Sequence, residues 1–383
     1  MAHNAPGRHT RVGITSDQMH EMFRTERQAE NWFIKARWGS KENAFCPHCG
    51  STRVKVIVNR KPQPFRCKDC RKHFSVKTDT LMENSKISLK HWAKVLYLET
   101  KDLRSNPSMM IYREIGVTQK TAWFMLHRIR ESYAAMCEGL IEEGGLTGEV
   151  EIDETAVGGK VGKMNPKQKK AFYARGGGTG FKGKEIIAGA KSRETGKIVV
   201  RQIDSRDRES LQGLVNAFTA KGSTVYTDEA SGYKGMDREH VAVNHSANKF
   251  VIGNAHNNGL ESFWSAFKRG LPSFVKVSPK HVIRYAIEFA GRHNDRPKDT
   301  LEQMELLAQG MVGRRLTYKD LTKDNGRSNF ARPMFGTPGD LKIKKEQAER
   351  KARLEEAEKA DERMMKEFAR IEECMGITEI GKE

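Results

Sequence analysis

Gly148-Glu149-Val150-Glu151-Ile152-Asp153-Glu154-Thr155-Ala156-Val157 is where the residue pattern turns from helical spacing to alternation. Apolar side chains at every second position mark a half-buried strand. Here Val150 and Ile152 would face inward, continued by Thr155 or Val157, and Gly158-Gly159 would end it. Glu185 to Ala190 and Lys197 to Ile203 read as two further strands joined by a turn containing Glu194-Thr195-Gly196, so three consecutive strands can form an antiparallel meander. Arg208 to Ala220 carries Leu211, Leu214, Val215 and Phe218 at helical spacing, and Ser223 to Asp228 and Glu239 to Val243 are short strand candidates. Three strands, a helix, two strands and a helix predict an α/β layer fold with a mixed sheet.

The last of these helices contains His256 to Gly270. At about 100° per residue, Leu260, Phe263, Trp264, Phe267 and Leu271 share one apolar stripe, and Glu261, Ser265 and Lys268 share a neighbouring edge. Three acids can then be placed: Asp153 near the end of the first strand, Asp228 at the tip of the fourth, and Glu261 on this helix. Taken singly, each also fits a strand end, a cap or a solvated charge. An acid where a core strand ends is costly to bury unless something positive binds it. Were the first and fourth strands neighbours, about 4.8 Å apart, Asp153 and Asp228 would converge. Three carboxylates on rigid elements can hold two hard cations about 3.5 to 4 Å apart, the spacing used to stabilise both oxygens of a phosphodiester displacement.

The charge balance points to a polyanion. The 383 residues carry a net +19 with a pI near 9.6, and nucleic acid is the usual partner of such a chain. From Asp340 onward there are 11 Lys+Arg against 13 Asp+Glu, a net −2, so the remainder carries +21. No run of eighteen apolar residues occurs, and Met1 to Thr10 lacks the apolar centre of a signal peptide, so a soluble cytoplasmic protein is expected.

Cys46-Pro-His-Cys49 and Cys67-Lys-Asp-Cys70 are two Cys-x-x-Cys knuckles separated by 17 residues, the spacing of a zinc ribbon. Two knuckles supply four thiolates to one tetrahedral Zn²⁺, a closed and therefore structural site. Val54, Val56 and Val58 alternate between them and Asn59 to Pro64 has turn chemistry, which predicts a bridging β-hairpin. A pair of disulfides is disfavoured without an export signal. Cys137 and Cys374 read as ordinary thiols.

Flanking the ribbon, Ser16 to Trp38 and Ser88 to Thr100 have helical patterns. Ser108 to Ile115, Gly116-Val117 and a second helix opened by Thr118 follow helix-turn-helix order. Its second helix would turn Ala122, Leu126, Ile129 and Tyr133 inward and leave Gln119, Lys120, His127, Arg128 and Arg130 for solvent or DNA. Gly158 to Lys184 holds eight Lys or Arg, Lys167, Lys169 and Lys170 among them, and no acid. It is expected to be an irregular loop that tracks a DNA backbone, with Phe172, Tyr173 and Phe181 free to stack on bases. Ser278 to His293 reads as an amphipathic helix, 298 to 340 as a linker or docking arm, and Lys342 to Met375 as a weak heptad suited to self-association or to a partner.

Together the ribbon, the helix-turn-helix, Glu151-Ile-Asp153-Glu-Thr-Ala-Val-Gly-Gly-Lys160, Tyr226-Thr-Asp228, Asn258-Gly-Leu-Glu261-Ser-Phe-Trp-Ser-Ala-Phe-Lys268-Arg269-Gly and Arg292-His-Asn294-Asp-Arg296 resemble the zinc-ribbon DDE transposases of bacterial insertion sequences, the ISXO-like group. The likeness runs from about residue 16 to 297. It implies an RNase H-like core in which Asp153, Asp228 and Glu261 bind two Mg²⁺ or Mn²⁺ ions, with Lys268 and Arg269 contacting DNA. Some members of the group carry asparagine where the third acid is expected, so Asn258 is the alternative to Glu261. The implied activity is cleavage at terminal inverted repeats and strand transfer into target DNA, by a homo-oligomer on nucleoid DNA and without a membrane. A non-catalytic DNA-binding regulator and an RNase H-like nuclease or resolvase are the rivals. The expected division is a helical segment (1–40), the ribbon (41–80), the helix-turn-helix region (81–144), the catalytic domain (145–297) with its basic insertion (158–184), the linker (298–340) and the charged tail (341–383).

Overall fold

The computed structural model describes residues 12–102, 105–158, 164–174, 181, 184–228, 231–243, 258–275, 277–323 and 332–333. The expected tail helix lies outside them. The described residues fall into two compact units, one within 12–44 and 76–332 and the other comprising 45–75 with Pro333.

In chain order the elements are α1 (Ser16–Met22), α2 (Glu26–Trp38), β1 (Val54–Val56), β2 (Phe65–Cys67), β3 (His73–Phe74), α3 (Leu89–Lys101), α4 (Ser108–Ile115), α5 (Gln119–Glu142), β4 (Glu149–Val157), α6 (Pro166–Ala174), β5 (Glu185–Ser192), β6 (Ile198–Ile203), α7 (Arg208–Phe218), β7 (Thr224–Asp228), β8 (Glu239–Val243), α8 (Asn258–Gly270), α9 (Val282–Asp295), α10 (Thr300–Gly310) and α11 (Tyr318–Thr322). Local chemistry sets many of the ends. Thr15 with Gln18 and Thr25 with Gln28 form capping boxes on α1 and α2, and Ser88, Thr118 and Asp207 cap α3, α5 and α7. Gly116 stops α4 in the left-handed region, at φ 67°.

The five-stranded sheet has the order β6-β5-β4-β7-β8. β4, β5 and β6 are the antiparallel meander, and β7 and β8 add parallel to β4 and to each other. One face of the sheet carries Val150, Ile152, Ala188, Ala190, Val199 and Val225, which α7 covers with Leu211, Leu214, Val215 and Phe218. The opposite face carries Glu151, Asp153 and Gly189, and α8 lies over it. α9 packs beside α8's end of the sheet, against β6.

α5 is the spine of the helical part, with α4, α9 and α10 packed around it. Its contact with α9 is ionic as well as apolar. Arg130 Nε donates to Glu288 at 2.8 Å, Arg292 bonds Glu288 at 3.0 Å and Glu99 at 2.6 Å, and Arg284 pairs with Glu131. Buried ion pairs of this kind destabilise strongly, by about 3–5 kcal/mol, when one partner is removed.

Two expectations fail here. Of the segment expected to be a linker or docking arm (298–340), residues 300–322 do not form a linker: α10 packs on α2, α3 and α5, burying Met304, Leu307 and Met311. The basic insertion is not wholly irregular, because α6 forms within it and buries Phe172. Its apolar pair was too short to register as a helical face among so many lysines.

Candidate active site and zinc centre

β4 sits in the middle of the sheet, and its pairing with β7 sets the site. Glu149, Val150 and Glu151 lie opposite Thr224, Val225 and Tyr226. The paired residues end there; extended by two, the same register would set Asp153 opposite Asp228, on the face that α8 covers. Glu261 arrives on that face because α8 is fastened to it. The Glu151 carboxylate accepts from the Leu260 amide at 3.0 Å and is held from the other side by Arg193 at 3.1 Å. Gly189, directly across from Asp153, lets α8 approach, since a Cβ there would lie 2.9 Å from the Trp264 ring. As the spacing predicts, Leu260, Phe263, Trp264 and Phe267 are buried while Glu261, Ser265 and Lys268 are exposed.

The acids feel one another. Burial pushes the Asp153 carboxyl up to about 6, and the negative charges of Asp228 and Glu261 push in the same direction against Arg206. Glu154, on the opposite face of β4, is raised to about 7 by burial despite the same arginine. Arg206 donates through Nε to Glu154 at 2.8 Å and through Nη2 to Asp228 at 3.1 Å, with its guanidinium 4.5 Å from the Phe181 ring centre. Tyr233 also hydrogen-bonds Glu154. Glu151, Glu154 and Arg206 were not singled out from the sequence. Strand alternation does place Glu154 beside Val150 and Ile152 on the core face, and a glutamate there requires a buried cation.

Among the described residues, only the four cysteines bring three or more metal-ligating side chains within 4.8 Å of one another. Asp153, Asp228 and Glu261 do not form such a cluster. Ions about 3.5–4 Å apart, each about 2 Å from its oxygens, accommodate carboxylates as far as roughly 8 Å apart. Nothing is described of the Asn258 side chain, so the alternative third ligand lies outside these observations.

In the ribbon unit β1 pairs with β2 and β2 with β3, all antiparallel, as the predicted hairpin requires. Cys46 Sγ lies 3.6 Å from Cys70 Sγ, and Cys49 Sγ 3.5 Å from Cys67 Sγ. A disulfide would need about 2.05 Å, whereas four sulfurs each 2.3 Å from one ion stand about 3.8 Å apart. Burial opposes ionisation of Cys67, but backbone amides of Cys70 and Asp69 bring its thiol down to about 7. The donor set fits Zn²⁺.

The residues expected on DNA are distributed unevenly. Lys167 and Lys170 are exposed on α6 and Lys169 is half-buried. Lys120 is exposed, with Nζ 4.3 Å from the Tyr318 ring centre, and Gln119 bonds Ser108. Arg128 stacks 4.3 Å over Phe124 and is half-buried. Arg130 is a correction: it is 2 % exposed, paired to Glu288 and stacked on Tyr285, and cannot reach a phosphate. His127 is likewise buried rather than solvent-facing. Phe172 and Phe181, offered as base-stacking groups, are buried and covered by Arg206 respectively, leaving Tyr173 exposed.

Residues 145–294 match an ISXO2-like transposase domain and residues 24–73 a transposase zinc-ribbon domain, together just over half of the chain. A protein of Halobacterium salinarum described as an uncharacterized protein in transposable element ISH50 is 29% identical over 278 residues, covering 70% of this chain and 90% of its own length. The first match spans the sheet with Asp153 and Asp228, α8 with Glu261, and α9 up to Asn294, while the second spans α2 and all four cysteines. No helix among the described residues is long and apolar enough to cross a membrane. Along the chain, then, stand a transposase zinc ribbon and after it an ISXO2-like transposase domain, and its relative in a transposable element matches over most of both lengths.

Proposed function

We propose that this transposase cuts DNA at the ends of an insertion sequence and joins the freed 3′ ends to target DNA, with Asp153, Asp228 and Glu261 as the ligands of two Mg²⁺ or Mn²⁺ ions in an RNase H-like core. What supports this is the parallel pairing of β4 with β7, whose register extended by two residues would bring Asp153 beside Asp228, together with α8, which carries Glu261 over the same face of the sheet. Ions bound there supply the positive charge that activates the attacking oxygen and stabilises the departing one.

The protein's own groups set up that chemistry. Arg206, held by buried Glu154, fixes the orientation of Asp228. Glu151 fixes the first turn of α8 and so the height of Glu261 over β4. Lys268, two turns along the same edge as Glu261, is placed to bind the phosphate next to the reacting one. Lys120, Arg269 and the α6 lysines Lys167, Lys169 and Lys170 are assigned to the DNA backbone, and a homo-oligomer assembled on paired ends in the cytoplasm completes the reading.

The test is cleavage of a duplex carrying the element's own terminal repeats, with added Mg²⁺ or Mn²⁺. Asp153→Asn, Asp228→Asn and Glu261→Gln should each reduce cleavage to background while end binding is retained. Cleavage at the wild-type rate by any one of them would remove that residue from the metal site.

A further inference from the structure

A cleft of about 1020 Å³ opens beside α8, lined by Ser262 and Arg269 of that helix, Phe289, His293 and Arg296 of the α9 end, and Lys191 of β5. Ser262 and Arg269 stand one residue after Glu261 and Lys268, about 100° further round the helix. The cleft wall therefore adjoins the edge that presents the third acid.

The Arg292-His293-Asn294-Asp295-Arg296 run explains how the cleft is built. Arg292 is neutralised by Glu99 and Glu288. His293 Nε2 meets the Gly196 carbonyl, and Asn294 clasps Ile198 through both the amide and the carbonyl of its backbone. Asp295 bonds Lys298. Arg292, His293 and Asn294 thus join α9 to α3 and to the sheet, Asp295 pairs locally, and Arg296 is exposed at the cleft with no ion pair among the described residues. Lys191, Arg269 and Arg296 form no ion pair among the described residues. Their field is felt locally: burial, then Arg296 and, more weakly, Lys191 drive the His293 imidazole down to about 4. Asp102 also lines the cleft and Glu151 stands across the strands from Lys191, so the lining is positive in excess rather than throughout, and that excess of like charge is relieved by a bound anion.

We infer that this cleft is a second DNA site, in which Lys191, Arg269 and Arg296 hold backbone phosphates of the strand that leaves the Glu261–Lys268 edge across α8. The inference rests on the transposase reading, which supplies the DNA, but not on the three acids being metal ligands. Three cations spread over a β-strand and two helices suit successive phosphates of a strand. The DNA has two sources, the donor sequence flanking the element and the target duplex.

The experiment measures binding of the full-length protein to a fluorescent duplex of about 30 base pairs by anisotropy over a range of KCl concentrations, without added divalent ions. Three duplexes are used: a terminal repeat with its flank, the same repeat cut at the cleavage point, and an unrelated sequence. For Arg269→Gln/Arg296→Gln the slope of log K against log salt should fall by about two, since each phosphate contact contributes about 0.9, and affinity at about 0.15 M salt should drop by roughly three- to tenfold. Lys191→Gln should lower the slope by about one. A loss confined to the flank-bearing duplex, or to the unrelated one, supports the site and identifies which DNA fills it. Slopes and affinities equal to wild type on all three duplexes would overturn the cleft assignment and the placing of Arg269 on the DNA backbone, while leaving the reading of the three acids intact. A wild-type protein that binds none of them would overturn the DNA reading itself.

Discussion

Gly189→Ala is a one-methyl test of how the site is assembled. The added Cβ would lie 2.9 Å from Trp264 Cζ2 and 3.2 Å from both Trp264 Cη2 and Leu260 Cδ2. Carbon contacts settle at about 3.5–4.0 Å, so the buried indole or the whole of α8 must retreat by roughly 0.6–1.1 Å. Overpacking of this size costs about 1–3 kcal/mol, and the lower entropy of an unfolded chain with alanine returns about 0.4–1 kcal/mol. The expected net is a loss of ~0–2.6 kcal/mol, which in a unit of this size lowers the melting temperature by up to about 10 °C. Activity should suffer more than stability. A displacement near 1 Å at a reacting centre costs ~10²-fold, and the moved helix carries Glu261. Cleavage of an end duplex and thermal melting are measured together, with Gly139→Ala as the control. No atom lies near the Cβ of Gly139 on α5, so that change should be neutral or stabilise by about 0.5–1 kcal/mol. Wild-type cleavage by Gly189→Ala, whatever its melting temperature, would refute the claim that close seating of α8 sets the acid's position.

Arg130→Ala should lower the urea midpoint by the equivalent of about 1–3 kcal/mol, because buried Glu288 loses one of its two arginine partners and keeps Arg292. In the variants that still fold, the salt slope for DNA should be unchanged, whereas Lys120→Ala should do the reverse; a stable Arg130→Ala protein with a flattened slope would restore Arg130 to the DNA. Cys67→Ser should reduce bound zinc from about one per chain to near zero by metal analysis, because three thiolates leave the tetrahedral set incomplete; full zinc occupancy in the variant would show that the metal sits elsewhere. His293 is held near 4 in the folded protein, below its unfolded value of about 6.5. Its neutral form therefore contributes stability that is present above pH 6.5 and is lost as pH falls toward 4. His293→Gln should remove about 1–3 kcal/mol of that acid sensitivity in urea midpoints compared between pH 7 and pH 4.5; identical pH profiles for variant and wild type would count against a buried neutral imidazole.

The parts legible in the sequence were those with a period of their own. Alternation around Ile152 gave β4, the three- and four-residue steps from Leu260 to Phe267 gave the buried stripe of α8, and two Cys-x-x-Cys knuckles gave the ribbon. Alternation cannot by itself choose sheet neighbours, so the parallel pairing of β4 with β7 had to be supposed until it was seen. Arg130 was misjudged because its partner, Glu288, lies 158 residues away on another helix, and a charged residue on an amphipathic pattern looks exposed when its counter-ion is unknown. The segment after residue 298 was read as a linker for a related reason: α10 buries its side chains against three separate helices, and none of them signals its presence locally.

The same reasoning explains why the supporting residues matter as much as the three acids. A carboxylate at a strand end is unspecific by itself, since it is equally a cap or a solvated charge. What restricts Asp153, Asp228 and Glu261 is a set of long-range polar contacts: Arg193 to Glu151 to the amide of Leu260 on one side, and Tyr233 and Arg206 to Glu154 and Asp228 on the other. Each spends a buried glutamate of β4 on aiming a neighbouring element. Glu151 and Glu154 point to opposite faces of the strand, with Asp153 between them, so the first acid is flanked by the anchors of the elements that deliver the other two. A helix dipole adds to the first anchor, because a carboxylate at the start of α8 is favoured by about 0.3–1 kcal/mol or more when partly buried. Replacing Glu151 with Gln keeps a hydrogen-bond acceptor but removes that charge and the pairing with Arg193, and it should loosen the seat of Glu261 while leaving Asp153 and Asp228 in register.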